Sequence, residues 1–235
     1  AGPVLRLSHG TWPAQNDARA EKKEADTPKV EDPILSLPVP AAARKSKRLS
    51  PSELGGDKVL GGGGLDAVAA KKRGTQVHLL LEHLPGCADP AAMAETLLRN
   101  GPDRAEPGDI AEMLIEAQRN IAAHPDLFSP TTLSEVDIAA MLPTLSSEIE
   151  GVIDRLVITP DRVKIVDFKT NAVVPSKADE TPEGLLRQMG AYLEAAEQIW
   201  TDRDIEVAIL WTATTDLMVL PHGIVREALQ RATTS

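Results

Sequence analysis

The sequence predicts an α/β fold: a mixed central β-sheet of about five strands, flanked by helices and preceded by a helical part. Residues 151–170 place two apolar runs around a Thr159-Pro160-Asp161 break, which is typical of a β-hairpin. Amphipathic segments with helical spacing precede this hairpin. A third strand before the hairpin, then a helix and two more strands after it, favour a mixed sheet with helices on its faces.

Composition narrows the class of protein. Apolar residues make up 42% of the 235 residues, which is enough for a core, and the net charge of -10 argues against a generally basic nucleic-acid coat. A local basic groove remains compatible with that charge. Cys87 is the only cysteine, so disulfides, a four-cysteine zinc site and an iron–sulfur cluster are excluded within this chain. No run of about 18 apolar residues and no signal-peptide pattern is present, so we expect no membrane partner and a cytoplasmic location.

The N-terminal part differs from the rest in composition. Residues 1–48 carry prolines at positions 3, 13, 28, 33, 38 and 40 and many charges, which predicts a partly disordered linker belonging to a longer chain. The basic run 44–48 has two open interpretations, a solvated linker or an arm that contacts phosphate. Glycines 61–64 are not followed by Gly-Lys-Ser/Thr, so no P-loop and no ATP hydrolysis are expected. Residues 49–235 are predicted to be the folded domain.

The helical part is predicted to span residues 49–128. Ser50 as N-cap and Pro51 at the first helical position predict a helix start. Gly74 inside the next helix costs about 1 kcal/mol relative to Ala, which close approach of another backbone would explain. The predicted helices are 65–84, 90–100 and 107–123. The first should share one broad face among Val68, Thr75, His78, Leu79 and Glu82, and the other two should contribute Ala91, Leu97, Leu98, Met113, Leu114 and Ile121 to the core.

The sheet part is predicted to span residues 129–235. Thr181 and Pro182 are the expected N-cap and first residue of a long helix, in which Gln188 and Tyr192 share a face because they are four residues apart. The predicted elements are a strand at 132–142, the hairpin within 151–170, a polar loop at 171–181, a helix at 183–200, strands at 205–212 and 217–220, and a helix at 224–231.

The hairpin carries acidic residues in unusual places. Asp154 lies inside its first strand, and Asp167 and Lys169 end the second strand on one face, because strand side chains repeat every two residues. Two carboxylates converging from paired strands would suit a hard divalent cation. The alternative is a structural ion pair, Asp167 with Lys169 or Asp154 with Arg155, and the hairpin alone leaves both open. His78 alone on its helix is likewise compatible with a packed or surface histidine.

Taken in order, these residues resemble the signature of the PD-(D/E)XK nuclease superfamily, in its RecB-like branch. That signature is a helical histidine, a G-x-x-D strand, a D-x-K strand and a Q-x-x-x-Y helix. Each motif alone is unspecific, but four in order on the expected elements are specific. The resemblance covers roughly residues 49–232 and implies a restriction-endonuclease-like core. The four motifs stand here as GTQVH (74–78), GVID (151–154), DFK (167–169) and QMGAY (188–192).

Within that branch the chain most resembles the C-terminal nuclease domain of an AddA-type double-strand break repair helicase–nuclease. The residues that fit are Leu49-Ser50-Pro51-Ser52, Arg155 after the metal aspartate, the run 167–171 and the single cysteine. The resemblance implies a nuclease that processes double-strand DNA ends for recombinational repair. It also implies three partners: DNA, a helicase motor in the same parent chain and an AddB-type subunit.

The resemblance also implies roles for the site residues. Asp154, Asp167, His78 and the Phe168 backbone carbonyl would bind Mg²⁺ or Mn²⁺. A metal bound there would activate water for phosphodiester hydrolysis. Glu135, on the strand before the hairpin, is an open candidate to approach this site.

The other matching residues are assigned to catalysis and DNA positioning. Lys169 would orient the water or stabilise the pentacovalent phosphorane. Gln188 and Tyr192 would position the DNA backbone or brace Lys169.

Two other functions were weighed against the nuclease. One is a catalytically silent DNA- or partner-binding module with the nuclease fold, against which the intact Asp, Asp, Lys set argues. The other is a non-heme iron oxygenase, which the absence of any H-x-D pair disfavours.

Overall fold

Five strands form one mixed sheet in the computed structural model, which describes residues 48–58, 67–100 and 104–232. The strand order is β1-β2-β3-β4-β5; β3 and β4 are parallel and the other neighbours are antiparallel. The predicted fold class is therefore confirmed. The predicted linker, apart from Arg48, and glycines 61–64 lie outside the described residues. The strands are β1 (Leu133–Leu142), β2 (Ser147–Ile158), β3 (Arg162–Lys169), β4 (Asp204–Trp211) and β5 (Asp216–Val219).

Helices cover both faces of the sheet. Their bounds agree with the predicted ranges to within two residues at each end. No helix in the described ranges has both the length and the apolar character needed to cross a lipid bilayer. The helices are α1 (Ala67–His83), α2 (Pro90–Asn100), α3 (Pro107–Ala123), α4 (Glu183–Ile199) and α5 (His222–Arg231), with short 3-10 helices at Pro51–Glu53 and Ala178–Glu180.

Two hydrophobic cores lie on opposite faces of the sheet. Val163 and Ile165 of β3 pack in the core that α4 and α5 cover, whereas Val166 and Phe168 pack in the core of α1, α2 and α3. Side chains of a strand point alternately to its two faces, so β3 is buried on both sides. Asp167 lies two residues after Ile165, so its side chain points to the same face of the sheet, toward α4.

The hairpin is longer than predicted. β2 and β3 pair around the Thr159-Pro160-Asp161 turn as expected, with the Thr159 amide donating to the Arg162 carbonyl at 2.8 Å. β2 begins at Ser147 rather than near residue 151, because its first residues pair with β1 on one side and Leu49 on the other. The early part of β2 is stabilised by pairing that the sequence of this segment does not reveal.

The face of α1 that the sequence singled out is not its most buried face. Its buried residues are Gln76, Val77, Leu80 and Leu81, and Val68 is 74% exposed. The first turns of α1 lie in solvent, and only its second half packs on the sheet. The helix therefore has no apolar stripe along its whole described length.

Three smaller predictions are also corrected. Ser50 caps only one 3-10 turn and makes no side-chain cap bond; its hydroxyl lies 2.9 Å from the Ser52 hydroxyl instead. The N-cap of α4 is Pro182 rather than Thr181. Ala91 is exposed. Of the other predicted core residues in α2 and α3, Leu98 and Met113 are buried, and Leu97, Leu114 and Ile121 pack partly buried against the same core.

Candidate active site

A cavity of about 430 Å³ opens beside the β2–β3 pair, between residues 50–52 and α4. Every side chain that the four motifs single out lines it, although these residues come from α1, β2, β3 and α4. The cavity therefore brings together groups that are remote in the sequence: His78, Asp154, Asp167, Lys169, Gln188 and Tyr192.

Asp154 connects α1 to the D-x-K strand. Its Oδ1 lies 3.4 Å from His78 Nδ1, and its Oδ2 accepts the Phe168 amide at 2.6 Å. The other ring nitrogen of His78, Nε2, lies 3.0 Å from the Phe168 carbonyl oxygen. Both nitrogens of His78 thus face oxygen acceptors, which is the arrangement of a protonated imidazole.

The charges of this pair stabilise each other. Burial lowers the pKa of His78, but the hydrogen bond and charge of Asp154 outweigh burial and hold the pKa above its ordinary value. Burial raises the pKa of Asp154, but His78, Lys169 and the Phe168 amide outweigh it, so this carboxyl titrates below its usual range. A bound divalent cation would replace the proton of His78 as the positive partner of Asp154.

Asp167 is held by two donors. Gln188 Nε2 donates to its Oδ1 at 2.6 Å, and the Lys169 ammonium forms an ion pair with its Oδ2. Burial raises the pKa of Asp167, and the charge of Asp154 adds to this shift. Lys169 opposes it but does not cancel it, so the pKa lies above its usual range. Burial lowers the pKa of Lys169, but Asp167 and Asp154 outweigh it and the ammonium is retained. The predicted structural ion pair of Asp167 and Lys169 exists, and it lies on the cavity wall.

Gln188 and Tyr192 contact different groups. Gln188 binds Asp167, whereas the Tyr192 hydroxyl donates to the Val152 carbonyl at 2.7 Å. Burial raises the pKa of Tyr192, so the phenol stays protonated. A Cβ at Gly151 would lie 2.9 Å from Pro51 and 3.2 Å from Tyr192, which explains the glycine of the G-x-x-D motif by packing.

Glu135 does approach the site, which the sequence left open. Its carboxylate, that of Asp154 and a ring nitrogen of His78 offer three ligand atoms within 4.8 Å of one another. In the β1–β2 register Ser134 pairs with Arg155 and Val136 with Ile153, which brings Glu135 to the level of Asp154. Glu135 has a φ of 50°, a region that residues with a Cβ rarely adopt. Burial raises the pKa of Glu135, and the charge of Asp154 adds to this shift.

This donor set fits a divalent cation. Two carboxylates and one imidazole nitrogen converge, and the Phe168 carbonyl lies against the same imidazole. Mostly oxygen ligands with one nitrogen suit Mg²⁺ or Mn²⁺. Asp167 directly precedes Phe168 in the chain and lies beside these donors. Its direct coordination of the metal stays a prediction.

Arg155 does not pair with Asp154. Its guanidinium is buried, donates to the Leu81 carbonyl at 2.7 Å and lies 4.9 Å from the centre of the Phe128 ring. These contacts fix the end of α1 against β2, and with it the helix that carries His78. The sequence pointed to Arg155 through the family resemblance and as an alternative ion-pair partner of Asp154, and the structure does not form that pair.

A second buried polar group, which we call the Glu116 cluster, lies behind the D-x-K strand and was missed by the sequence. The buried Glu116 carboxylate accepts the Thr212 hydroxyl at 2.5 Å and forms an ion pair with Arg73, while the Asn120 amide donates to the Thr212 carbonyl at 2.8 Å. The Thr212 amide donates to the Lys169 carbonyl at 2.9 Å. The Glu116 cluster thus joins α1, α3 and β4 to the end of β3.

Gly74 also meets this end of β3. A Cβ at Gly74 would lie 3.2 Å from the Thr170 hydroxyl oxygen, so the close neighbour is a side chain and not the backbone that the sequence predicted.

Two solved structures that resemble this chain share little sequence with it, and no curated protein matches the chain significantly. A protein from Eubacterium rectale, provisionally named an exonuclease, shares 14% identity at a TM-score of 0.44, over 73% of this chain and 66% of that one. This chain therefore spans just under two thirds of that protein. SSO0001 shares 9% identity at a TM-score of 0.33, over 72% of this chain and 87% of that one. Both TM-scores are below 0.5, so family membership depends on sequence.

The sequence model of one protein family matches this chain and assigns it to that family. The PD-(D/E)XK nuclease superfamily matches residues 56–231, more than half of the chain and all four motifs described above. Its description names the D-x-K element that forms the cavity wall at Asp167 and Lys169, on a five-stranded mixed sheet flanked by helices. This chain therefore belongs to the PD-(D/E)XK nuclease superfamily.

Proposed function

We propose that residues 49–235 are the divalent-metal-dependent DNA nuclease domain of an AddA-type helicase–nuclease, which hydrolyses phosphodiesters of the strand fed by its motor. The observation that supports this most is the convergence of His78, Glu135 and Asp154 within 4.8 Å, at the edge of the cavity in which His78 and Asp154 meet the Asp167–Lys169 pair. A structural ion pair alone would not need the additional carboxylate and imidazole.

The side chains divide the chemistry between them. His78, Glu135, Asp154 and the Phe168 carbonyl would hold Mg²⁺ or Mn²⁺, with Asp167 as a further proposed ligand. The ion, when bound, supplies Lewis-acid stabilisation and a water of lowered pKa. Asp154 also accepts the Phe168 amide, which fixes the D-x-K strand relative to the ligands.

Lys169 is assigned to stabilising charge. Its ammonium keeps its proton because Asp167 and Asp154 raise its pKa against burial. An ammonium cannot take a proton from water, so it acts as a donor toward the phosphate oxygens or the attacking water, where negative charge develops. Gln188 holds Asp167 at 2.6 Å and thereby orients this ammonium, as the brace that the sequence proposed.

Tyr192 is assigned a supporting role in this scheme. Its hydroxyl binds the Val152 carbonyl, two residues before Asp154, and its ring packs where Gly151 lacks a side chain. Tyr192 therefore fixes the strand that carries Asp154, and any direct contact with the DNA backbone stays a prediction.

Cleavage of oligonucleotides tests the nuclease assignment. The chain should cut single-stranded DNA in Mg²⁺ or Mn²⁺ and stop when EDTA is added. Lys169→Met should abolish cutting, whereas Lys177→Met, at an exposed loop lysine, should not. A Lys169→Met protein that cuts as fast as the wild type contradicts the proposal, as does a wild type that cuts neither single nor double strands with either ion.

The residues 49–52, Arg155 and the single cysteine support the AddA-type context. This context includes a motor in the parent chain, an AddB-type partner and a cytoplasmic location. The parent protein provides its test. Cleavage of a blunt duplex by the parent complex should require ATP, because the motor must feed the strand. ATP-independent cleavage at the same rate would contradict this context while leaving the nuclease assignment intact.

A further inference from the structure

The first half of α1 carries a basic run that the proposed chemistry does not use. Lys71, Lys72 and Arg73 are consecutive in a chain whose net charge is -10. Arg73 pairs with Glu116, and the Lys72 ammonium donates to the Arg104 carbonyl at 2.8 Å. Lys71 is exposed, and its ammonium has no partner within the ranges that the structure describes. One cation of the three is therefore available to a ligand.

Lys71 lies on the same side of α1 as His78. Seven residues make two turns of an α-helix, so the two side chains point in nearly the same direction, about 10 Å apart along the helix. Thr75, which is also exposed, lies between them and bonds back to the Lys71 carbonyl. An extended DNA strand covers this distance in one or two nucleotides.

This stripe of α1 borders the end of the D-x-K strand. Gly74, between Lys71 and His78, has the Thr170 hydroxyl as its close neighbour, and Thr170 follows Lys169 directly. Gly74 itself has no side chain, and the Thr170 hydroxyl packs against that position. A strand that leaves the cavity past His78 and follows α1 toward Lys71 would therefore pass the hydroxyls of Thr170 and Thr75.

Charge on the other side of the cavity favours the same route. Asp137 and Glu150, on β1 and β2, also line the cavity, and their carboxylates repel phosphates. Glu150 is partly compensated by Arg48 at 2.8 Å, whereas Asp137 has no cationic partner in the described part of the chain. A polyanion therefore meets less repulsion along α1 than along the β1–β2 side.

We propose that Lys71 binds a backbone phosphate of the DNA strand outside the cavity, one or two nucleotides from the phosphate at the metal ligands. This inference rests on the proposed nuclease function and names the path of its substrate. The contact is to a phosphate and carries no sequence preference, because a lone ammonium on a flexible stem reads charge rather than base edges.

The salt dependence of DNA binding tests this contact. Binding of a fluorescent single strand is measured in Ca²⁺ as a function of salt, for the wild type, Lys71→Gln and Lys71→Arg. Losing one phosphate contact on a single strand lowers the slope of log K against log salt by about 0.7. Lys71→Gln should show this reduction and a several-fold weaker affinity at low salt, and Lys71→Arg should restore both.

Arg226→Gln is the matched control. It removes one exposed positive charge from α5, which covers the opposite face of the sheet, so a nonspecific effect of net charge would appear in it too. An equal change of slope in Arg226→Gln, or no change in Lys71→Gln, overturns the inference. A strand too short to extend beyond the cavity should bind wild type and Lys71→Gln equally, and a difference there would also overturn it.

Cleavage rates separate the two proposals. Lys71→Gln should raise KM and leave kcat unchanged at saturating DNA, because the contact is remote from the reacting phosphate. If the wild type cuts DNA but Lys71→Gln has an unchanged slope and KM, only the strand path is wrong. If the wild type does not cut DNA, the nuclease proposal fails whatever the slope shows.

Discussion

Two groups of buried carboxylates lie on either side of the end of β3, and they differ in surroundings rather than in burial. Asp154 is 9% exposed and Asp167 4%, and Glu116 on the other side is 6% exposed. Asp154 and Asp167 face a cavity, together with His78 and Lys169. The exposed carboxylate of Glu135 lies close to His78 and Asp154, and we call these five residues the pocket cluster. The Glu116 carboxylate is occupied by Arg73 and Thr212. Burial alone therefore does not identify a reactive carboxylate.

The two clusters also differ in charge. The pocket cluster has three carboxylates for one lysine and one histidine, and burial raises the pKa of Glu135 and of Asp167. The Glu116 cluster has one carboxylate for one arginine. Excess negative charge in a partly buried site is costly unless a cation offsets it. The pocket cluster thus suits the cation that we propose for it, whereas the single carboxylate of the Glu116 cluster is already neutralised by Arg73.

Removing a charge from the pocket cluster should have the largest effect on activity. Asp167→Asn should reduce cleavage by at least about 100-fold, because it removes a carboxylate beside the metal ligands and frees Lys169. The free energy of unfolding should change by less than about 1 kcal/mol, since the lost ion pair is offset by relief of repulsion from Asp154. Cleavage rates and urea denaturation measure the two quantities. Full activity of Asp167→Asn would show that the pocket cluster is not needed for cleavage. An unfolded protein would show that Asp167, like Glu116, acts on stability.

Glu135 tests whether the third carboxylate belongs to the pocket cluster. Glu135→Gln should weaken Mn²⁺ binding by at least about 10-fold, because a neutral amide is a poorer ligand than a carboxylate. Isothermal titration measures the affinity. Asp126→Asn, at an exposed acid between α3 and β1, is the control and should bind Mn²⁺ as the wild type does. Unchanged affinity in Glu135→Gln would remove Glu135 from the ligand set.

The Glu116 cluster should respond in the opposite way. Glu116→Gln should lower the free energy of unfolding by about 1–3 kcal/mol, because Arg73 loses its charged partner and the Thr212 hydroxyl loses a charged acceptor. Mn²⁺ affinity should be unchanged. Urea denaturation and titration of the same protein provide the comparison. Loss of metal binding with unchanged stability would show that Glu116 acts on the site rather than on the fold.

The smallest expected effect is a pH dependence from His78. Its pKa in the folded, metal-free protein lies above the ordinary 6.5, so the stability it contributes is complete below that pH and is lost as pH rises through the folded-state pKa. In EDTA, the stability difference between wild type and His78→Gln should therefore shrink from about pH 6 to about pH 8. A difference that grows over this range would mean that the imidazole is held neutral.

The same contrast explains how far the sequence could be interpreted. The motif residues that line the cavity were predictable because they stand at fixed spacing on regular elements: Asp154 and Asp167 on paired strands, and Gln188 and Tyr192 one helical turn apart. Glu135 remained open since it stands in no motif and adopts a positive φ that no local pattern indicates.

The Glu116 cluster could not be predicted. Glu116 and Arg73 lie within amphipathic helices, where charged residues are usually solvated, and Thr212 lies 96 positions beyond Glu116. Glu116, Arg73 and Thr212 come together only because α1 and α3 pack side by side on the same face of the sheet. The same packing decides which residues of α1 are buried, and the spacing of its residues does not indicate that the first half of the helix lies in solvent.

Anomalous diffraction from a crystal soaked in Mn²⁺ tests the central claim most directly, namely that this cavity is a metal site. We predict one strong peak bonded to His78, Glu135 and Asp154, with the ion about 2.0–2.2 Å from their oxygen and nitrogen atoms. No peak in the cavity, or a peak on other residues while these three side chains keep their metal-free contacts, would contradict the account.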